Sequence, residues 1–219
     1  MSSSDKNVRL KITEIFYSLQ GEAYNTGLPT VFIRLTGCPL RCHYCDTEYA
    51  FTGGQWMSLD EIIEEAGRYQ TPRITVTGGE PLAQKNCISL LGRLCDEGYE
   101  VSLETSGALP LEAVDSRVIK VVDIKTPASG ESDKNRLQNL ACLNPEDQLK
   151  FVICNRHDYD WSRDFIMQHQ LEGRCEILFS PVQDTLAADE LAEWILQDHL
   201  NVRFQIQLHK YLWGDKTGV

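Results

Sequence analysis

Short apolar runs alternate along the chain with amphipathic stretches, and small polar residues end most of them. Over residues 8–15, Leu10 and Ile12 stand two apart. The step then breaks at Thr13 and Glu14 before Ile15, and the run reads as a first strand. Residues 31–35 are apolar and β-branched, which predicts a buried strand. Leu59, Ile62, Ile63, Ala66 and Tyr69 recur at helical spacing behind Ser58, a good N-cap. A strand is expected over 73–77, then a helix through Ile88, Leu91 and Leu94 stopped by Gly98. Further strands are expected over 100–104, 118–124, 149–153 and 176–179. Residues 186–200 read as an amphipathic helix and 202–208 as a last strand.

Strands alternating with helices predict an α/β fold with parallel strands and helical crossovers. The polar punctuation follows the strands: a cysteine loop, then 78–81 (Gly-Gly-Glu-Pro), 104–107 (Glu-Thr-Ser-Gly), 123–125 (Asp-Ile-Lys) and 180–183 (Ser-Pro-Val-Gln). Parallel barrels build their sites from such loops. A doubly wound sheet gives the same pattern, so periodicity alone leaves both open. About six βα units fall short of a full barrel and fit a partial, open one. No repeat divides the chain, so a single domain over 1–219 is expected. Within it, 1–7 reads as a disordered polar tail, 38–57 as a functional loop, and 202–219 as a strand and tail near the site.

The chain has 219 residues, 42% of them hydrophobic, enough for a sizeable core. No run of about 18 apolar residues exists, and the start lacks an apolar signal region, so no membrane association and a cytoplasmic location are expected. Lys and Arg number 21 against 32 Asp and Glu, a net charge of −11. That balance argues against a non-specific grip on nucleic acid, which needs many phosphate-neutralising cations. Eight cysteines in this setting read as thiols or metal ligands rather than disulfides.

Three of these, Cys38, Cys42 and Cys45, form a C-x3-C-x2-C loop with no fourth partner close by. Electron-transfer clusters usually take four thiolates, so three leave one iron open for chemistry. A zinc knuckle is the rival from the residues alone, with His43 as its only nearby fourth ligand and too tightly spaced for comfortable tetrahedral ligation. Cys87, Cys95, Cys142, Cys154 and Cys175 are scattered and read as structural.

The loop resembles that of the radical S-adenosylmethionine (SAM) superfamily, and Gly-Gly-Glu-Pro follows it in the matching order. The resemblance implies a 4Fe–4S cluster on Cys38, Cys42 and Cys45, whose open iron SAM chelates. Cleavage of SAM then gives a 5′-deoxyadenosyl radical that takes hydrogen from a substrate. A finer resemblance, to the 7-carboxy-7-deazaguanine synthase family, runs nearly the whole chain. It rests on 15–22 (Ile-Phe-Tyr-Ser-Leu-Gln-Gly-Glu), 32–38 leading into the cluster, Cys45-Asp46-Thr47, the 78–81 and 104–107 loops, and 209–212 (His-Lys-Tyr-Leu).

That resemblance implies a partial parallel β/α barrel of radical SAM type. It implies substrate contacts from Leu19, Gln20, Gly21, Glu22, Arg34, Thr105, His209 and Lys210. The Arg34 guanidinium would match a substrate carboxylate bidentately. SAM contacts are implied for Tyr44, Asp46, Gly78, Gly79, Glu80, Gly107, Asp123, Lys125, Ser180 and Gln183. Asp123-Ile124-Lys125 stands where some relatives carry Ser-Pro-Lys. Thr47 would ligate Mg²⁺, with a capping hydroxyl as its plain alternative. No catalytic side chain is implied beyond the cluster and SAM.

The implied reaction turns 6-carboxy-5,6,7,8-tetrahydropterin into 7-carboxy-7-deazaguanine with loss of ammonia, in queuosine biosynthesis. An external one-electron reductant of flavodoxin or ferredoxin type and a homodimer are implied with it. Two other readings share the cysteine spacing: a small glycyl-radical-enzyme activase, and a non-catalytic iron–sulfur or zinc module. The N-terminal Leu-Gln-Gly-Glu run, with Arg34 and Thr47, favours the pterin enzyme.

Overall fold

The computed structural model describes residues 8–219, and the expected tail over 1–7 lies outside them. Among these described residues, nine strands form one sheet in the order β3-β1-β2-β4-β5-β6-β7-β8-β9. They are β1 (Arg9–Leu19), β2 (Pro29–Leu35), β3 (Gln55–Ser58), β4 (Arg73–Gly78), β5 (Glu100–Thr105), β6 (Ile119–Ile124), β7 (Gln148–Ile153), β8 (Glu176–Pro181) and β9 (Arg203–Phe204). The helices are α1 (Leu59–Gly67), α2 (Cys87–Asp96), α3 (Arg156–Gln168), α4 (Ala188–Gln197) and α5 (Leu208–Trp213). From β2 to β9 every neighbouring pair is parallel, as the alternating pattern predicts.

Strand parity divides the sheet into two faces. Ile33, Ile74, Val76, Val101 and Leu103 pack under α1 and α2 in one apolar cluster. Leu149, Phe151, Ile177 and Phe179 pack with residues of α3 and α4 in a second. The alternate positions, among them Arg34, Thr77, Glu104, Asp123 and Lys150, line a cavity on the other face. One face is covered by helices and the other borders the cavity, where strand residues such as Thr75, Thr77 and Ser102 are buried as well.

Several local expectations are corrected. The first strand runs on to Leu19 and pairs antiparallel with β2 and with the unexpected β3. The short 20–28 connection cannot hold a crossover helix, so the chain turns straight back. It also crosses the concave face: Tyr24 N–H donates to Gln148 Oε1 at 2.8 Å, and Ala23 N–H to Gln205 Oε1 at 2.9 Å. Helix α3 shows no clear period in the sequence because its buried Tyr159, Ser162, Phe165 and Ile166 are diluted by charged residues. The expected strand over 202–208 shrinks to two residues and gives way to α5. The β5–β6 and β6–β7 connections contain no α-helix. Buried Asn139 pins both, accepting from Leu111 N–H and donating to the Gly107 and Leu109 carbonyls. Helix α1 forms as expected behind a reciprocal Ser58–Glu61 capping box. Among the described residues, no helix is long and apolar enough to cross a membrane.

Candidate active site

A cavity of about 500 Å³ opens at the C-terminal ends of the parallel strands. Cys38, Cys42 and Cys45 are free, half-buried thiols on its wall. Burial pushes all three above the ordinary thiol value. Their loop is held by backbone. Gly37 N–H donates to Ala50 O, and the Gly37 carbonyl accepts from Glu80 N–H, each at 2.8 Å. Arg41 donates to the Cys38 and Leu40 carbonyls and stacks over Phe51. His43 is tied to the turn after β6 through Ser129 O and Ala128 O.

Gly78 and Gly79 line the cavity, and their bareness has a local cause. A Cβ on Gly78 would run into the Leu35 carbonyl, and one on Gly79 into Gly37 O and Cys38 Cβ. The end of β4 therefore lies backbone-to-backbone against the start of the cysteine loop. Next to them, Glu80 is fully buried and turned away from the cavity. It accepts from Leu82 N–H, Thr105 Oγ1, Ser106 N–H and Ser106 Oγ, so it fastens the loop after β5.

The floor of the cavity is a charge network. Lys150 pairs with Glu22 and lies 3.7 Å from Asp123, which pairs with Lys125 at 2.9 Å. Burial pushes Glu22 up, but Lys150, His209 and Gln207 outweigh it and hold the carboxyl below its usual range. Burial pulls Lys150 down, and Glu22, Asp123 and Glu104 more than reverse it. Glu104 is different: burial raises it above the usual range despite Lys150. Gln20 Nε2 donates to Thr75 Oγ1 and to Glu104 Oε1.

Arg34 lines the wall near the cysteine loop, paired through Nε with Glu14 Oε1 at 2.7 Å. Thr47 heads a short 3₁₀ turn over 48–50 but makes no side-chain cap bond; its hydroxyl donates to Asp46 at 2.8 Å. Desolvation pushes Asp46 up, yet Lys210, 3.2 Å away, and Thr47 bring it down to about 2. The C-terminal segment closes on this side. Leu208 N–H bonds the Gly21 carbonyl, the His209 ring packs where a Cβ on Gly21 would stand, and residues 214–219 line the cavity.

A family model for the radical SAM superfamily matches residues 32–119. A 7-carboxy-7-deazaguanine synthase of Koribacter versatilis is 44% identical, over 95% of this chain and 99% of its own. One from Chlorobaculum tepidum is 46% identical, over 96% and 97%. The chain belongs to the 7-carboxy-7-deazaguanine synthase family. The fold agrees: the crystal structure of QueE from Escherichia coli superposes with a TM-score of 0.77 and 24% identity, covering 92% of this chain and 95% of that one.

Membership in this synthase family makes the chain a radical SAM enzyme and implies a 4Fe–4S cluster and SAM. The site's chemistry fits both groups. Three cavity-facing thiols suit a cubane with one open iron. Beside them, the Tyr44 hydroxyl and Asp123 Oδ1 are buried and, among the described residues, have no hydrogen-bond partner.

The structure gathers most of the expected site residues on this synthase cavity. Leu19, Gln20, Gly21, Glu22, Arg34, Tyr44, Asp46, Thr47, Gly78, Gly79, Thr105, Asp123, Lys125, His209 and Lys210 all line it with the three cysteines. Glu80, Gly107, Ser180 and Gln183 do not. Glu80 and Gly107 serve the loop after β5, Ser180 is buried in β8, and Gln183 is exposed beyond it. Sequence reasoning missed Lys150, Glu104, Gln207, Glu14 and Tyr49. Lys150 carries a signal, a charge inside a mostly apolar strand, and Glu104 opens the Glu-Thr-Ser-Gly run noted above after its strand.

Proposed function

We propose that the chain converts 6-carboxy-5,6,7,8-tetrahydropterin into 7-carboxy-7-deazaguanine with loss of ammonia, in queuosine biosynthesis. The supporting observation is that the three loop thiols and Arg34 open onto one cavity. When bound, the cluster and SAM supply the one-electron chemistry that removes a hydrogen atom from the substrate.

The chain's own residues bind and orient. Arg34 grips the pterin carboxylate through its Nη edge, since among the described residues Nε alone is engaged by a protein group. Gln20, fixed by Thr75 and Glu104, and the main chain around Gly21 meet the heterocycle edge. Glu22 stays ionised beside Lys150 and Gln207, ready to accept from ring N–H groups. The Tyr44 hydroxyl and Asp123 Oδ1 offer SAM a donor and an acceptor that the described residues leave unused. His209 and Lys210 close the substrate end, Lys210 tethered to Asp46. Thr47 is the Mg²⁺ ligand in this reading, its oxygen lone pairs suiting a hard cation. A flavodoxin- or ferredoxin-type reductant, a homodimer and a cytoplasmic location complete it.

Reconstituted protein incubated with SAM, a reductant and the carboxypterin should yield 7-carboxy-7-deazaguanine by mass spectrometry; absence of that product overturns the reading. Arg34→Ala should weaken the binding of 6-carboxypterin by about 10- to 100-fold, the range of a lost charge-assisted hydrogen bond. SAM affinity, measured by equilibrium dialysis, should not change.

A further inference from the structure

A bulge in β1 re-aims one side chain at the substrate clamp. Ile12 pairs with Leu35, but Glu14, not Thr13, pairs with Arg34. Without the extra residue, Thr13 would face Arg34 and Glu14 would move one place along. The bulge thus sets Glu14 directly across the strand pair from Arg34. Its Oε1 accepts from Arg34 Nε at 2.7 Å and from the Tyr49 hydroxyl at 2.8 Å. The guanidinium carbon lies 5.8 Å from the Phe16 ring centre and 5.7 Å from that of Tyr49. Among the described residues, the Nη atoms of Arg34 donate to no protein group, although the side chain is only 15% exposed.

We propose that Glu14 and Tyr49 are positioning residues, holding Arg34 by its Nε edge and ring face so that its Nη edge is presented to a carboxylate ligand. The inference rests on the reading of Arg34 as a carboxylate clamp. A free arginine side chain loses considerable rotamer entropy when it grips a ligand, and preorganising it raises affinity without any new ligand contact. Tyr49 belongs to the 3₁₀ turn that follows the cysteine loop, so the same hydroxyl keys the clamp to the loop that carries the thiols.

A counter-ion role for Glu14 makes the opposite prediction. A carboxylate beside Arg34 repels an incoming carboxylate, so removing it would tighten binding if charge were all it contributed. Positioning predicts that binding loosens.

Fluorescence titration of the reconstituted enzyme with 6-carboxypterin, and with pterin lacking the carboxylate, reads the clamp without turnover. Wild type should prefer 6-carboxypterin. Glu14→Ala should weaken 6-carboxypterin about tenfold while changing pterin by less than about twofold, because only the carboxylate grip is disturbed. Glu14→Gln keeps an acceptor for Nε and should restore most of that loss. Tyr49→Phe, which leaves the salt bridge in place, should weaken 6-carboxypterin about threefold and keeps the test open if Glu14→Ala misfolds. Unchanged or tighter binding of 6-carboxypterin in Glu14→Ala or Tyr49→Phe overturns the proposal. A wild type with no preference between the two pterins overturns the clamp reading itself, which is a separate and distinguishable result.

Discussion

Glu80 and Glu104 stand at the ends of the adjacent strands β4 and β5, and their surroundings set them apart. Glu80 receives four donor groups and fastens a loop. Glu104 receives Gln20 and Thr77, each at 3.2 Å, and faces the cavity with lone pairs to spare. Burial raises its pKa, and Lys150 and Arg34 do not cancel the shift. A carboxyl raised in the folded state binds its proton more tightly there than in the unfolded chain. Its favourable contribution is complete at acid pH and is lost as pH rises through the folded value. Glu104→Gln cannot ionise, so at pH 7 it should melt above the wild type, with the gap narrowing towards pH 5. A variant that melts lower at pH 7 would show that Glu104 is well compensated as an anion. Such a trade of stability for an available carboxylate is common at functional sites. At this scale the cysteines and Arg34 were legible, from spacing and motif. Tyr49 is not, because nothing local distinguishes it from other polar residues; Glu104 opens a visible loop motif and Glu14 stands at the break in the first strand, but neither feature names its partner.

Secondary-structure elements were legible where the local pattern and the tertiary demand agree. Helix α1 shows both its apolar period and its cap, and it forms where expected. The break in alternation at Thr13 and Glu14 is the trace of the β1 bulge, visible in the sequence but meaningless until β2 lies alongside. Helix α3 was hidden because packing selects a stripe too dilute to stand out. The paired glycines at the end of β4 are a similar case: as a turn they are ordinary, and the approach of the 35–38 backbone explains them. Gly79→Ala should cost about 1–3 kcal/mol by overpacking. Because the atoms in the way belong to Gly37 and Cys38, the variant should also reconstitute with less iron and sulfide per chain, read by chemical analysis. Full iron loading would mean that the cysteine loop moves aside freely.

Across the whole molecule, the two ends of the sheet divide the labour. The C-terminal ends of the strands carry the cavity. At the other end, Lys120 and Asp147 form an ion pair at 2.8 Å, with side chains 3% and 2% exposed. Asp147 also accepts from the Lys120 and Asn144 N–H groups. Removing one partner strands a buried charge, so Asp147→Ala should cost about 3–5 kcal/mol in urea unfolding. Replacing both, as Lys120→Met with Asp147→Leu, should recover much of that loss, and SAM affinity should be unchanged in the double variant. A double variant as unstable as the single one would show that the backbone bonds of Asp147 matter more than its charge. Local patterns alone carry the parallel α/β class, the order of most elements and the three thiols, because those signals are periodicities and spacings within a few residues of each other. Long-range packing settles which charges share the cavity, that Glu14 rather than Thr13 meets Arg34, and that the C-terminal segment lies against Gly21 and Asp46. Those partners come from distant stretches of chain, and only strand register and the curl of the sheet bring them within hydrogen-bonding distance.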